Sequence, residues 1–277
     1  MFIAAVPETK RRQGLFGRRS RDTGVACYCG QENLDYYLLR IPNKRKKPDY
    51  SYLRELYPRF SGRVIQADTL QRQDDLLPLY YNPQNYERQI MLRLCTQVSE
   101  LLPIPLIRRT IGLVDPDGIY SFFAETLIKY SPIVKVYTTK TEAYDETCRH
   151  LMDFYGAPLM LTEHIGSLSD CVLLFSPGLQ ELPQLSAHAL VVLGTRLQSN
   201  TAILPGAISL ESLSLTNELQ SLVPAGIDPI LFFGAACELS GKREYGLLSP
   251  QRLFAGYRTI EAGALPAFIR SFIECNC

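Results

Sequence analysis

The 277-residue sequence predicts an α/β protein with a doubly wound, mostly parallel sheet, a small basic α/β N-terminal unit and a helical C-terminal tail. Three observations lead to this prediction. Apolar runs of strand length alternate with amphipathic stretches of helix length from about residue 110 onward. Positive charge is concentrated in the first 63 residues. Helix-start signals recur in the last quarter of the chain.

The N-terminal unit is placed at residues 1–105. Strands are predicted in "FIAAV", "VACY", "YYLLRIP" and "RVIQAD", with a helix in "YSYLRELYPRF". A longer helix then carries four apolar residues on one stripe, Ile90, Leu94, Val98 and Leu101. It must stop before Pro103 and Pro105, because proline cannot continue a helix. The domain boundary is predicted there.

Residues 106–277 form the predicted second domain. Six apolar runs predict its strands: "TIGLVD", "IVKVYTT", "APLMLT", "DCVLLFSP", "ALVVLGT" and "AISLESLSL". Strands that alternate with helices imply right-handed crossovers and therefore parallel pairing. In the tail, Asp228 and Pro229 predict one helix start, and Ser249 and Pro250 predict another.

The charge distribution suggests a class of partner. Residues 1–63 hold 14 Lys and Arg against 6 Asp and Glu, although the whole chain has a net charge of only +1. Such basic segments could bind nucleic acid or an anionic surface, or simply be solvated. The residues concerned are Lys10, Arg11, Arg12, Arg18, Arg19, Arg21, Lys44, Arg45, Lys46 and Lys47.

The cysteines allow one hypothesis about metal binding. No secretory signal or transmembrane segment is recognisable, so we expect a cytoplasmic protein with reduced thiols. Two CxC pairs, Cys27 with Cys29 and Cys275 with Cys277, could each present two thiolates to one ion. The alternative is that these thiols are free, because CxC spacing is a weak metal signal.

The stretch "RTIGLVDPDGIYSFF" predicts a strand, a tight turn and a helix start. Many proteins bind a phosphate in this layout, at a helix N-terminus where backbone amides are free. Gly112 lies in the strand, and Asp115, Pro116, Asp117 and Gly118 follow. These four residue types in this order favour a type I turn, which bends the chain by its own chemistry.

Residues 108–215 resemble the NAD(P)-binding Rossmann-like superfamily in their order of strands and helices. Ser176, Pro177 and Gly178 are similar to the strand end of its shikimate dehydrogenase and glutamyl-tRNA reductase branch. The glycine fingerprint GxGxxG is missing, and two carboxylates would repel a pyrophosphate. The chain therefore looks like a distant, degenerate member of the superfamily.

The resemblance implies where a dinucleotide would lie, namely at the turn and at the end of the next strand. That strand ends in Thr138, Thr139 and Lys140, whose hydroxyl and basic groups favour NADP over NAD. The alternative is that Thr139 forms a capping box with Glu142 and binds no cofactor.

A second resemblance uses the carboxylates themselves. "LVDPDGIY" is similar to the opening motif of haloacid-dehalogenase-like phosphatases, which implies Asp115 as nucleophile, Asp117 as acid/base and a magnesium ion. Ile119 departs from that motif, and no GDxxxD pair follows. Among the histidines at 150, 164 and 188, His164 is the best candidate for a catalytic role, because it follows a predicted strand.

These observations favour a nucleotide or small-ligand recognition module without hydride transfer. Three alternatives stay open. They are an NADP-dependent oxidoreductase, a magnesium-dependent phosphohydrolase, and an adaptor that binds nucleic acid or an anionic membrane through its basic segments.

Overall fold

The computed structural model describes residues 1–8, 26–31, 34–41, 43–44, 47–56, 59–70, 72–178, 188–196 and 204–276. In chain order, its strands and α-helices are β1 (Ile3–Pro7), β2 (Ala26–Gln31), β3 (Leu34–Ile41), β4 (Asn43–Lys44), β5 (Lys47–Pro48), α1 (Ser51–Leu56), β6 (Val64–Gln66), α2 (Gln84–Leu101), β7 (Thr110–Val114), α3 (Ser121–Ile128), β8 (Ile133–Tyr137), α4 (Asp145–Tyr155), β9 (Leu159–Thr162), β10 (Leu173–Ser176), β11 (Leu190–Leu193), β12 (Ala207–Leu213), α5 (Asn217–Leu222), α6 (Pro229–Leu239), β13 (Pro250–Ala255), β14 (Arg258–Glu261) and α7 (Leu265–Asn276). Short 3₁₀ helices lie at Asp74–Leu79, Leu106–Arg108, Thr141–Tyr144, Ile165–Leu168, Arg243–Leu247 and Ala262–Ala264.

Spatial contacts divide the chain into two compact units. We call Met1–Tyr86 together with Leu215–Leu248 the N-terminal unit, and Glu87–Ser214 together with Ser249–Cys277 the sheet unit. Each unit is therefore assembled from two separate segments of the sequence. The division into domains at residues 1–105 and 106–277 stays a prediction.

The N-terminal unit contains a four-stranded sheet in the order β2-β3-β1-β6. β1 pairs in parallel with β3 and β6, and β2 is antiparallel to β3. Its helix α6 begins as predicted, because Asp228 Oδ1 accepts the amide of Ile230 at 2.8 Å and Pro229 occupies the first turn. Phe232 of α6 packs edge-on against the rings of Phe2 and Tyr36.

The sheet unit contains an eight-stranded sheet in the order β9-β8-β7-β10-β11-β12-β13-β14. The six strands from β7 to β12 pair in parallel, and their spatial order counted from β7 is 3-2-1-4-5-6. All four residues of both β10 and β11 are buried, as expected for central parallel strands. This strand order is that of a Rossmann-like fold and confirms the predicted fold class.

The C-terminal segment combines strands with a helix. Ser249 and Pro250 do not start a helix, and that prediction is wrong: Pro250 begins β13, which pairs antiparallel with β12 and β14. The segment 250–255 alternates toward its end, with Leu253 and Ala255 buried, which is a strand pattern. The tail then ends in α7, which buries Leu265, Ile269, Phe272 and Ile273.

Among the described helices, none has the length and apolar character needed to cross a membrane. Of the predicted basic partner residues, Lys44 lies on β4 and Lys47 on β5, and these two short strands pair antiparallel with Lys44 and Lys47 in register. The other eight, Lys10, Arg11, Arg12, Arg18, Arg19, Arg21, Arg45 and Lys46, lie outside the described residues.

Candidate functional site

The turn after β7 lies at the carboxyl end of the strand in the middle of the parallel order, the place where such sheets bind ligands. The amide of Gly118 donates to the carbonyl of Asp115 at 3.2 Å, which closes a four-residue turn. Gly118 has a φ of +69°, a conformation that other residues rarely adopt. The predicted turn at these four residues is confirmed.

The side chain of Asp115 does not face solvent. It is 2% exposed, and its carboxylate accepts the backbone amides of Ile119 at 3.0 Å and Tyr120 at 2.8 Å. The phenol of Tyr144 donates to the same carboxylate at 2.6 Å. Three donors thus converge on one buried anion at the start of α3.

These amides are the donors that a Rossmann-like fold offers to a pyrophosphate. α3 begins at Ser121, and no side chain of its preceding residue, Tyr120, caps it. The carboxylate of Asp115 takes that role from five residues upstream. An anion of the protein itself therefore occupies the position where the fold usually holds a ligand anion.

The three glycine positions of the fingerprint GxGxxG can be read from this geometry. Counted from the end of β7, they correspond to Asp115, Asp117 and Tyr120. None of them is glycine, and the one glycine of the turn, Gly118, has the space beside its Cα already filled by Ala143. Burial raises the pKa of the Tyr120 phenol, and the nearby Arg88 opposes this increase.

The end of β8 supports the turn from the other side. The hydroxyl of Thr139 donates to the carbonyl of Pro116 at 2.8 Å, and the 3₁₀ helix begins after Lys140, so Thr139 does not form the predicted capping box. The hydroxyl of the fully buried Thr138 accepts the amide of Lys140 at 3.1 Å. A Cβ on Gly118 would lie 2.6 Å from the Cβ of Ala143. The site residues predicted here therefore lie together, but they hold the turn in place.

The end of β10 is also tied down. The hydroxyl of Ser176 donates to the carbonyl of Gly178, and the guanidinium of Arg88 donates from Nε to the carbonyl of Pro177 at 3.1 Å. Arg88 lies in the first two turns of α2. A Cβ on Gly194, which follows β11, would approach the backbone of Pro177 to 2.6 Å.

The residue before Arg88 makes a similar contact with β11. Glu87 is 4% exposed, and its carboxylate accepts Nε of Arg196 at 2.7 Å and the amide of Arg196 at 3.2 Å. Since Arg196 follows the end of β11, the start of α2 is bonded to the chain beyond two parallel strands. The chain segments that follow β10 and β11 are therefore both hydrogen-bonded to α2 within the sheet unit.

A small cavity of about 70 Å³ remains at this edge. Its lining includes the guanidinium-bearing Arg88, the exposed Asp117 and the phenol-bearing Tyr120, with Asp115, Ser176, Pro177 and Gly178 completing the wall. A buried water needs roughly 10–15 Å³ on this kind of measure, so the space suits a few waters or a small polar molecule.

Two predicted site residues lie elsewhere. Gly112 is in the middle of β7, where a Cβ would lie 2.4 Å from Leu174, so its glycine serves packing between neighbouring strands. His164 follows the edge strand β9, is exposed, and is not part of the cavity lining. His150 is on α4, 3.6 Å from Glu125, and His188 precedes β11.

The predicted metal ligands are only partly described. Cys27 and Cys29 lie on β2, and Cys275 is exposed near the end of α7, while Cys277 lies outside the described residues. Within the described part of the chain, no three or more His, Cys, Asp or Glu side chains form a group that could hold a metal ion. The CxC hypothesis stays a prediction.

The sequence reasoning did not find Arg88, Glu87 or Tyr144 as site residues. Their partners are 29 to 109 residues away in the chain, at Asp115, Pro177 and Arg196. Local spacing carries no signal for such pairs.

Comparison with known proteins adds little to this description. No protein-family model and no curated protein sequence matches the chain. Among solved structures, the chain is similar to the L-tryptophan dehydrogenase of Nostoc punctiforme, with 11% identity and a TM-score of 0.32. That similarity covers 87% of this chain and 66% of the dehydrogenase. The assignment of a Rossmann-like fold therefore rests on the strand order of the sheet unit.

Proposed function

We propose that the sheet unit is a small-ligand recognition module that keeps the Rossmann-like strand order and performs no hydride transfer. The observation that carries this proposal is the carboxylate of Asp115 on the amides of Ile119 and Tyr120. The two amides just before α3 are already bonded to this carboxylate, so catalysis with a bound dinucleotide lacks its usual anchor.

NADP does not fit the residues at this turn. A pyrophosphate would have to displace a carboxylate that accepts three hydrogen bonds, and it would lie beside Asp117 as well. Like charges at such distances repel each other strongly in a partly buried site. The hydroxyls of Thr138 and Thr139 are bonded to the backbone of Lys140 and Pro116. These contacts disfavour the NADP-dependent oxidoreductase.

A magnesium-dependent phosphohydrolase does not fit either. Mg²⁺ is normally held by carboxylates and phosphate oxygens in near-octahedral geometry. Here the lone pairs of Asp115 are used by three donors, and Asp117 is the other carboxylate of the cavity wall. The end of β10, where a further acidic ligand would be expected, offers Ser176, Pro177 and Gly178.

The ligand that fits is small and polar. The cavity wall combines the positive guanidinium of Arg88, the negative carboxylate of Asp117 and the phenol of Tyr120. A molecule with a hydrogen-bond acceptor facing Arg88 and a donor facing Asp117 would match this wall. The volume of about 70 Å³ argues against a nucleotide, which would have to extend well beyond the cavity.

Isothermal titration calorimetry with NADP⁺, NADPH and NAD⁺ tests the first half of the proposal. We expect no measurable heat of binding for the natural chain. Binding of any of the three at micromolar Kd would overturn it, because that affinity requires the anchor that Asp115 occupies.

Native mass spectrometry, with a denatured spectrum of the same sample, tests the second half. We expect a small adduct or an added small polar molecule to be retained by the natural chain and by Glu274→Gln, an exposed control on α7. Asp117→Asn should lose it, because the variant removes a charge from the cavity wall. Equal retention in both variants would place the ligand elsewhere.

The adaptor function is a separate hypothesis that rests on the charge of residues 1–63. If the basic segments bind a polyanion, its affinity must fall steeply with added salt, because binding releases counterions. Heparin binding followed at rising NaCl concentration tests this, and an affinity that is independent of salt would rule it out.

A further inference from the structure

The two edges of the eight-stranded sheet differ in chemistry. The β14 edge carries Arg258 and Glu261, and charged side chains of this kind discourage another strand from pairing. The β9 edge reads Leu159, Met160, Leu161, Thr162 and carries no charge and no proline. Among the described strands, β9 pairs only with β8, so within that part of the chain the backbone groups on its other side have no partner strand.

Large apolar side chains are exposed around the β9 edge. Met160 on the strand is 50% exposed, and the last turn of the preceding helix α4 exposes Met152 (57%), Phe154 (75%) and Tyr155 (59%). The ring of Phe154 packs on His150 with ring centroids 4.6 Å apart, and His150 lies 3.6 Å from Glu125 of α3, so Phe154 lies on the side of α4 that faces α3 and not the edge strand. Such a concentration of exposed apolar residues beside an unpaired strand marks an interface.

The surface is also self-complementary in charge. On α4, Arg149 lies four residues from Asp145 on one side and four residues from Asp153 on the other, and all three are exposed. If two copies of α4 packed antiparallel about a two-fold axis level with residue 151, each Arg149 would face Asp153 of the other copy, and an axis level with residue 147 would pair Arg149 with Asp145 in the same way. An isologous contact requires this kind of pattern, in which one surface fits itself.

We propose that the β9 edge is the interface of a two-fold symmetric dimer, with β9 pairing antiparallel to β9 of a second copy. The apolar side chains of Met152, Tyr155 and Met160 become buried in this dimer, and α4 packs against its symmetry mate. Pairing of the two edge strands satisfies backbone groups that are open in the single chain. The partner is a second copy of the chain, because a two-fold axis at this edge pairs β9 with β9 and brings the exposed apolar residues together. It also places Arg149 of each copy opposite an aspartate of the other.

Sedimentation equilibrium over a wide concentration range tests this proposal. The natural chain should show a mass near twice 31.3 kDa. Met160→Lys places a charge on the edge strand and should weaken dimerisation at least about tenfold, as edge lysines do in natural sheets. Tyr257→Lys is the matched control, because Tyr257 is 71% exposed at the turn between β13 and β14. It should leave the dimer intact.

The charges of α4 provide a second test. In Arg149→Glu, the new carboxylate of each copy faces an aspartate of the other copy, so the dimer should weaken. Reversal of all three charges, in Asp145→Arg, Arg149→Glu and Asp153→Arg combined, should restore it, since both copies change together. Circular dichroism verifies that each variant is folded.

A natural chain that stays monomeric at the highest concentration would overturn the proposal and leave the edge to a different partner. A dimer that Met160→Lys and Tyr257→Lys affect equally would also overturn it, because the interface would then lie elsewhere. Failure of the charge reversal to restore a dimer weakened by Arg149→Glu would overturn the antiparallel packing of α4.

Discussion

The phenol of Tyr144 donates a 2.6 Å hydrogen bond to Oδ2 of Asp115, although the two residues lie 29 positions apart. Tyr144 is fully buried and ends the 3₁₀ helix that precedes α4, while Asp115 follows β7. The bond therefore links the turn after the central strand to the crossover that follows β8. It also gives the carboxylate a third donor besides the two amides of α3.

Tyr144→Phe measures what this link contributes to stability. The variant removes the hydroxyl and leaves a buried carboxylate with two donors, so we expect the free energy of unfolding to fall by about 1–3 kcal/mol. Tyr130→Phe is the matched control, because the Tyr130 phenol donates to Glu100 at 3.0 Å on the surface. The control should lose less than about 1 kcal/mol in urea denaturation. Equal losses in the two variants would mean that the buried Tyr144–Asp115 bond contributes no more to the free energy of unfolding than the exposed Tyr130–Glu100 bond.

The glycine of the turn gives a graded prediction. Gly118→Ala combines a positive φ with a Cβ that would lie 2.6 Å from Ala143, so we expect a loss of about 2–4 kcal/mol. Gly156→Ala has a φ of +61° but open space and should lose about 1 kcal/mol. Gly166→Ala has neither problem and should be nearly neutral. Urea midpoints that do not follow this order would contradict the packing of the turn.

Stability should decrease at alkaline pH. Burial, and then the neighbouring Asp115, raises the pKa of the Tyr144 phenol, while burial raises the pKa of the Cys171 thiol to about 12. The folded chain therefore keeps protons that the unfolded chain releases, and the free energy of unfolding falls as pH rises from about 9 toward 12. Urea unfolding at a series of pH values tests this. The fall should be less steep in Tyr144→Phe, and a flat profile would refute the prediction.

The thiols should react with very different rates. Cys275 is exposed, whereas Cys95 and Cys171 are buried, and burial raises the pKa of both buried thiols. Near pH 8 a thiol with a pKa of about 12 is ionised to a fraction of about 10⁻⁴, so it reacts slowly with iodoacetamide. Peptide mass spectrometry should find Cys275 alkylated first, and all three equally after denaturation. Early alkylation of Cys171 in the folded chain would contradict its placement against Gly112.

Several elements could be predicted from local chemistry. The six apolar runs from "TIGLVD" to "AISLESLSL" all form strands, because continuous apolar runs of this length fit a parallel sheet that is covered on both faces. The turn at Asp115 to Gly118 and the helix start at Asp228 follow from the residue types themselves. In these cases the determining interactions lie within a few residues.

Other features depend on partners that the sequence does not place. Pro250 was predicted to begin a helix, but the segment that it begins, β13, pairs with β12 as a strand. Asp115 and Asp117 lie in the same turn, yet Asp117 is exposed and Asp115 is buried under Tyr144. Thr139 was predicted to cap a helix, but its hydroxyl bonds to Pro116, which is distant in sequence and close only in the folded chain. Long-range contacts decided each of these outcomes.

The two-segment construction of both units has a consequence for biosynthesis. Residues 1–86 are synthesised before the sheet unit. However, α5 and α6, which belong to the N-terminal unit as well, are synthesised only after the six parallel strands of the sheet unit. Until Phe232 has emerged, the rings of Phe2 and Tyr36 lack the side chain that packs against both. During synthesis, part of the apolar surface of the N-terminal segment therefore stays uncovered until α6 has been made. The N-terminal unit can complete its packing only after the strands of the sheet unit have been synthesised.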